Sequence, residues 1–313
     1  MKSIVKLTSE NGVFDFIIKW RMTNSCNTNC SYCIRKKFTH FPKDINAENE
    51  NLKIVAVKLN KLIESLPQKK IKIDAIGGEV TLLDLQGIFS EIKSEKLKRV
   101  SITTNLLRSA DYYISLAEIV PLSITASYHD EAQSLDDYFK KIEKIKNCKN
   151  IQYLNCETVS TAGNTELVTD FISRCEKIGV YYMVEPDRRK DTDKNRENED
   201  LIVKSNKPNH ARYTAVFSDG TEKKYYARSA LLAEFTIPEC MYGRFVPTKN
   251  LYCTHSFDFV YINIDKATGR RAGCNGCSNV MEVEDFKPMP APEKCTSTLC
   301  SLCGTVSLYK FDK

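Results

Sequence analysis

The chain has 313 residues, 42% hydrophobic and 27% charged, with 46 Lys and Arg against 40 Asp and Glu. That length holds one large core, or one core with a small appended module. The composition excludes disordered and fibrous classes, and the +6 net charge admits a phosphorylated or nucleotide substrate without requiring one. No apolar run near Met1 is long enough for a signal peptide, and none later is long enough to span a bilayer, so a cytoplasmic protein is expected. With 13 Cys and no secretory signal, metal or cluster ligation in a reducing cytosol is a better expectation than disulfides.

Short β-branched, apolar runs at 14–20, 71–76, 100–104, 122–126, 151–154 and 180–184 predict six buried strands. Helical patterns separate them. Leu52, Val55, Leu59, Leu62 and Leu66 recur at three-four spacing and stop at Pro67. Leu135, Tyr138, Phe139, Ile142 and Ile145 repeat the pattern behind a Ser134…Asp137 capping pair. Leu167, Phe171, Cys175 and Ile178 do so again and end at Gly179. Strands alternating with helices call for parallel βαβ units, so residues 1–190 read as α/β. Six units are too few to close an eight-stranded barrel. Residues 191–249 read as a linker followed by a hairpin and helix segment. The 187–196 run is nearly free of apolar residues, and 213–217 and 223–227 flank a Ser218-Asp219-Gly220 turn. Residues 250–313 are cysteine-rich and form a second unit.

Cys26, Cys30 and Cys33 are spaced three residues and then two. Three thiolates on one loop can hold three irons of a 4Fe–4S cubane and leave the fourth without a protein ligand. A zinc loop is disfavoured by the four His of the chain and by the absence of a further Cys before Cys148. The run from Thr23 to Cys33, with Asn27 after the first cysteine and Tyr32 before the third, resembles the signature of the radical S-adenosylmethionine (radical SAM) superfamily. The resemblance implies a partial, six-stranded (β/α)6 barrel of TIM type. It also implies an open iron that chelates the amino and carboxylate groups of SAM, and Tyr32 among the SAM-binding residues. An electron from an external donor such as a flavodoxin or ferredoxin would then yield a 5′-deoxyadenosyl radical that takes hydrogen from the substrate.

In βα barrels the chemical groups gather at the C-terminal ends of strands. Gly77-Gly78-Glu79 directly follows the second strand. Its glycines let the backbone approach a ligand, and its carboxylate can accept from an ammonium group. This resembles the family's Gly-Gly-Glu motif, which binds the amino group of SAM. Val80 stands where the family usually has Pro, which leaves the turn less rigid. Asn105 ends the third strand, and Ser127, Tyr128 and His129 end the fourth. Asn105 and Ser127 stand where related enzymes hold the ribose and carboxylate of SAM. Tyr128 and His129 are candidates for a substrate-facing hydrogen-bonding or proton-transfer pair, with turn capping as the alternative for His129. Cys156 and Glu157 end the fifth strand. Glu185 ends the sixth, where Pro186 stops the strand at the mouth, and it is the stronger candidate for a polar contact to substrate. Cys148, Cys175 and Cys240 read as core or surface thiols.

The second unit carries Cys253, Cys274, Cys277, Cys295, Cys300 and Cys303. A strand-like 257–264 followed by a turn at 265–269 makes Cys253 the start of a hairpin whose return strand leads to Cys274. Cys253, Gly269 and Cys274 are spaced as in the opening of the SPASM and twitch domains appended to radical SAM barrels. Too few cysteines follow for two complete auxiliary clusters, so the resemblance implies a twitch-like domain with one 4Fe–4S cluster. In twitch-domain dehydrogenases of aminocyclitol biosynthesis a downstream Cys-x-x-Cys completes the hairpin pair. Cys300-Ser301-Leu302-Cys303 supplies one, which implies Cys253, Cys274, Cys300 and Cys303 as ligands, with Cys277 and Cys295 in reserve. A structural zinc site on the two Cys-x-x-Cys knuckles is the rival.

These features together predict a radical SAM oxidoreductase acting on a small polar substrate: a sugar, cyclitol or nucleotide derivative. An auxiliary cluster would accept the second electron. A peptide-modifying radical SAM enzyme that forms a thioether, a crosslink or an epimer is the alternative; the 25 residues before Cys26 are too few for a peptide-recognition domain. A non-catalytic iron–sulfur or zinc module that binds nucleic acid finds support in Lys223-Lys224-Tyr225-Tyr226. It leaves Gly77-Gly78-Glu79 and the barrel pattern unexplained.

Overall fold

Along each of six strands, side chains alternate between an apolar face and a polar one, and that alternation builds the molecule. The computed structural model describes residues 4–9, 14–33, 44–161, 163–187, 201, 213–225, 246–247, 252–253, 259–268, 280–288, 290, 293–294, 299–300 and 308–309. After β1 (Ile4–Ser9) come β2 (Phe16–Thr23), α1 (Ile45–Ser65), β3 (Ile71–Gly77), α2 (Leu85–Phe89), β4 (Leu97–Thr104) and α3 (Ala110–Ile119). Then follow β5 (Leu122–Tyr128), α4 (Leu135–Lys146), β6 (Ile151–Ser160), α5 (Thr165–Ile178) and β7 (Tyr181–Pro186). Strands β2 to β7 lie side by side in chain order, each pair parallel. This is the expected partial (β/α)6 barrel.

The apolar face of the sheet packs against the helices that lie along its outside. Phe16, Ile18, Trp20 and Met22 on β2, Ile71, Ile73 and Ala75 on β3, and Leu122, Ile124 and Ala126 on β5 are all buried in one core cluster. Leu52, Val55, Leu59 and Leu62 of α1 and Tyr138, Phe139 and Ile142 of α4 meet them there. The interleaved residues, Lys19, Thr103, Ser127 and Glu157 among them, face the inside of the barrel and line a cavity. Helix ends follow local chemistry. Asp44 accepts from the amides of Asn46 and Ala47 to start α1. Ser134 accepts from the amide of Asp137 to start α4, and Gly179, at φ 68°, closes α5. The periodicity above did not single out α2 or α3.

The later strands are β8 (Tyr213–Phe217), β9 (Glu222–Tyr225), β10 (Val246–Pro247), β11 (Tyr252–Cys253), β12 (Phe259–Asn263), β13 (Lys266–Thr268), β14 (Val280–Glu282), β15 (Glu293–Lys294), β16 (Leu299–Cys300) and β17 (Leu308–Tyr309). The expected hairpin forms as β8–β9 around Gly220. It places Lys223 and Lys224 on an edge strand of the sheet β15-β11-β17-β1-β8-β9. Cys253 falls in that same sheet, whereas Cys300 pairs with β10 in a separate two-stranded sheet. Cys240, Cys274, Cys277, Cys295 and Cys303 lie outside the described residues, as does the 188–200 part of the linker. No described helix is long and apolar enough to cross a membrane.

The 257–264 strand has a different place from the one its sequence suggests. β12 runs parallel to β2, and β13 and β14 follow antiparallel, so the barrel sheet has the order β14-β13-β12-β2-β3-β4-β5-β6-β7. Val260, Ile262, Ala267, Val283 and Phe286 belong to the barrel core, and the Phe286 ring lies 6.2 Å from that of Phe16. Lys58 of α1 pairs with Glu282 and Glu284 at 3.0 and 3.3 Å. The turn is Ile264-Asp265 rather than 265–269, because Lys266 to Thr268 already pair with β12. Ile264 holds φ 59° without being a glycine. Tertiary bonds offset that strain: its amide donates to Arg21 O at 2.7 Å, and its carbonyl accepts from Trp20 Nε1 at 2.9 Å. Phe286→Ala should therefore destabilise the whole barrel by about 3–5 kcal/mol. Chemical denaturation followed by Trp20 fluorescence would report it; an unchanged midpoint would mean that the C-terminal segment folds as a separate unit.

Candidate active site

The loop that follows β2 carries Cys26, Cys30 and Cys33, and it sits against the end of β3 closely enough to exclude a side chain. Gly78 N donates to Thr23 O at 3.1 Å and Glu79 N to Ser25 O at 2.8 Å. A Cβ on Gly77 would lie 2.4 Å from Thr23 O, and one on Gly78 2.0 Å from Ser25 O. Here the two glycines are required by the approach of the cysteine loop itself, whereas the sequence suggested the approach of a ligand.

Glu79 also has a different environment from the expected one. Its carboxylate is buried, with Oε1 accepting from Thr81 N at 3.0 Å, Thr81 Oγ1 at 2.6 Å and Thr104 Oγ1 at 2.8 Å. Oε2 accepts from Asn105 N at 2.6 Å. Burial pushes the carboxyl above its ordinary range, and these hydrogen bonds oppose the shift. The group ties the end of β3 to the end of β4. Thr104 Oγ1 continues the link, accepting from Leu106 N at 3.1 Å and lying 3.0 Å from Tyr113 OH.

The Asn105 amide is likewise engaged inside the protein. Its Nδ2 donates to Asn27 Oδ1 at 2.7 Å, and its Oδ1 accepts from Leu107 N at 3.2 Å. Its carbonyl accepts from Gln133 Nε2 at 2.7 Å, and Lys141 Nζ bridges Gln133 Oε1 and Leu106 O. Leu106 sits in this web, fully buried, at φ 57°. Asn105 thus anchors the cysteine loop to β4.

Tyr128 and His129 do not form a pair. Tyr128, the last residue of β5, packs among the rings of Tyr138 and Phe171 at 5.3 and 6.1 Å. His129 turns toward the cysteine loop. Its Nδ1 lies 2.9 Å from Tyr32 OH and 3.5 Å from Cys30 Sγ. Burial holds its pKa below the ordinary His range, and burial likewise pushes the Cys30 thiol and the Tyr32 phenol up. The His129 carbonyl accepts from the amides of Ala132 and Gln133, so the residue also closes a turn.

A cavity of about 480 Å³ opens at this end of the barrel. Cys26, Cys30 and Cys33 line it together with Tyr32, Gly77, Gly78 and Glu79. Ser127 and Glu185 line it from β5 and β7. The volume is in the range of small-molecule and cofactor sites. Lys19, Asn24, Thr28 and Glu157 also line it and were not read from sequence as site residues, apart from the placing of Glu157 at a strand end. Lys19 and Glu157 were legible in principle, as charged positions on the inner face of otherwise apolar strands.

The donor set fits an iron–sulfur cluster with a bound amino-acid-like ligand. Thr28 Oγ1 lies 3.2 Å from Cys26 Sγ and 3.6 Å from Cys30 Sγ, so two of the three sulfurs share one hydroxyl. Among the described residues no three His, Cys, Asp or Glu converge on a single ion. A cubane spreads its thiolates over separate irons, so convergence on one point is not what it needs. Asn24 Oδ1 is buried in the cavity wall with no hydrogen-bond partner among the described residues. An orphaned acceptor there suits an ammonium donor.

No protein-family model and no curated protein matches the chain. Solved structures of AdoMet-binding proteins do share its fold. Streptococcus suis SuiB bound to precursor peptide SuiA matches with a TM-score of 0.51 and 13% identity over 85% of this chain and 62% of that one. anSMEcpe with bound AdoMet and Kp18Cys peptide matches with a TM-score of 0.51 and 11% identity over 86% and 78%. BtrN in complex with AdoMet and 2-DOIA matches with a TM-score of 0.35 and 14% identity over 87% and 74%. The chain spans less than two thirds of several matched proteins, 57% of anSMEcpe in its Cp18Cys peptide complex.

Glu79→Gln should lower the stability of the apoprotein by about 1–3 kcal/mol, because an amide placed among four donors leaves at least one of them unpaired. Thermal unfolding without added iron or SAM measures this. An unchanged transition would mean that the carboxylate is reserved for a ligand.

Proposed function

We propose that this chain is a radical SAM enzyme. The carrying observation is that three cysteines with the superfamily spacing face one cavity at the C-terminal mouth of a six-stranded parallel barrel, against a Gly-Gly-Glu turn. Cys26, Cys30 and Cys33 would hold a 4Fe–4S cluster, and SAM would bind beside it. When bound, the pair supplies reductive cleavage of SAM and a hydrogen-abstracting radical. The protein's own groups bind and orient. Asn24 Oδ1 offers an acceptor to the SAM ammonium, Ser127 offers a hydroxyl, and the Tyr32 ring and His129 close the side next to Cys30. Glu79 and Asn105 also line the cavity, where their hydrogen bonds fix the loop beside the ligand.

The substrate would enter along the opposite wall, where Glu157 and Glu185 rise from neighbouring strands. Glu157 stands beside Met183 and Glu185 beside Val159 in the β6–β7 register. We infer a peptide side chain as the substrate class. Support comes from the SuiB and anSMEcpe structures, both bound to peptides, which share the fold at a TM-score of 0.51. A small sugar, cyclitol or nucleotide derivative is the second reading, favoured by the polar inner face of the barrel. Cys253, Cys274, Cys300 and Cys303 remain the proposed auxiliary 4Fe–4S ligands, with zinc as the alternative metal. A flavodoxin or ferredoxin is the proposed electron donor. The proposed units divide near 190 and 250, and β12 to β14 of the C-terminal unit contribute to the barrel wall.

Reconstituted protein given SAM and dithionite should form 5′-deoxyadenosine, and Cys30→Ala should abolish it because an iron loses its thiolate. Product in the Cys30→Ala protein would refute the assignment. Added peptides should accelerate turnover more than added sugars or cyclitols. Elemental analysis separates the auxiliary metals: about eight irons per chain for two cubanes, or about four irons and one zinc for a ribbon.

A further inference from the structure

The turn between β5 and α4 grips three successive residues of the cysteine loop. Glu131 Oε2 accepts from Ser31 N at 2.8 Å. On either side of Ser31, the His129 ring reaches Cys30 Sγ at 3.5 Å and Tyr32 OH at 2.9 Å, both through Nδ1. The Tyr32 and His129 rings are stacked, 5.9 Å apart at 15°. His129 itself is held in place, since its carbonyl accepts two amides of the turn, and Gln133 carries the connection on to Asn105 O.

We infer that His129 is a positioning residue for the iron–sulfur cluster, its Nδ1–H shared between the Tyr32 phenol oxygen and the Cys30 sulfur while its stacked ring fixes Tyr32. The inference rests on the cluster assignment above and goes beyond it. A cysteine sulfur that binds iron has lost its proton and can only accept. An N–H at this position then makes a hydrogen bond to a cluster ligand, one of the means by which a protein sets cluster potential. The electron added on reduction increases the negative charge on the sulfurs, so a donor stabilises the reduced form more than the oxidised one. His129 therefore makes the cluster easier to reduce by the external donor.

The test is an EPR-monitored redox titration of the reconstituted full chain, parent against His129→Leu and His129→Asn. In His129→Leu the reduction equilibrium should become about tenfold less favourable, ~59 mV downward for a one-electron couple. His129→Asn keeps an amide N–H near the Nδ1 position and should stay within a threefold change of the parent. If His129→Leu loses iron, His129→Phe retains the ring stacked on Tyr32 without a donor and should show the same fall. Equal potentials in the parent and in an iron-replete Leu or Phe variant would overturn the inference. So would equal falls in the Leu and Asn variants. A parent that takes up no 4Fe–4S cluster would instead refute the function proposed above, and this is read before any variant is made.

Discussion

Everything at the mouth of the barrel depends on one backbone contact, between the segment leaving β2 and Gly77-Gly78 at the end of β3. The amides of Gly78 and Glu79 donate to Thr23 O and Ser25 O at 3.1 and 2.8 Å, and a Cβ at Gly78 would lie 2.0 Å from Ser25 O. No side chain fits that gap. The register of β2 on β3, with Thr23 opposite Gly77, therefore places Cys26 three residues beyond the contact. The position of the cysteine loop thus follows from strand pairing rather than from the cysteines.

A buried carboxylate extends the contact sideways. Glu79 takes four hydrogen bonds from β4 and from its own turn, and a carboxylate so satisfied is tolerated at full burial. The adjoining chain from Asn27 through Asn105 and Gln133 to Lys141 links the loop, the end of β4 and helix α4. Each link is side chain to backbone or side chain to side chain, so the mouth is braced without a closed sheet. Leu106, at positive φ and fully buried, shows that the brace overrides local preference.

The barrel core was legible because its pattern is local. Alternation in β2, β3, β5 and the three-four spacing of α1 and α4 each fit within one element, and Ser134 and Gly179 mark helix ends by their own chemistry. What was not legible depends on partners far away in sequence. β12 joins β2 across 242 positions, Phe259 opposite Ile17, and nothing in 257–264 distinguishes a barrel strand from an isolated hairpin. The Ile264 turn is set by Arg21 and Trp20, so it does not look like a turn in sequence. Residue type identified Glu79, Asn105 and Tyr128, but not the direction each faces. Strand parity separates Tyr128 from Ser127, and that clue was available in the alternation.

Strand order also divides the cavity by task. The ends of β2, β3 and β4 supply the cysteine loop, the glycine turn and the Asn105 anchor, and all are locked to one another. β6 and β7 bring Glu157 and Glu185 to the cavity. β5 lies between, giving Ser127 to the cavity and His129 to the loop. Changes at Gly77, Gly78 or Glu79 propagate through the brace. The proposed cofactor side is therefore built to tolerate little variation, because each of its parts is held by the others.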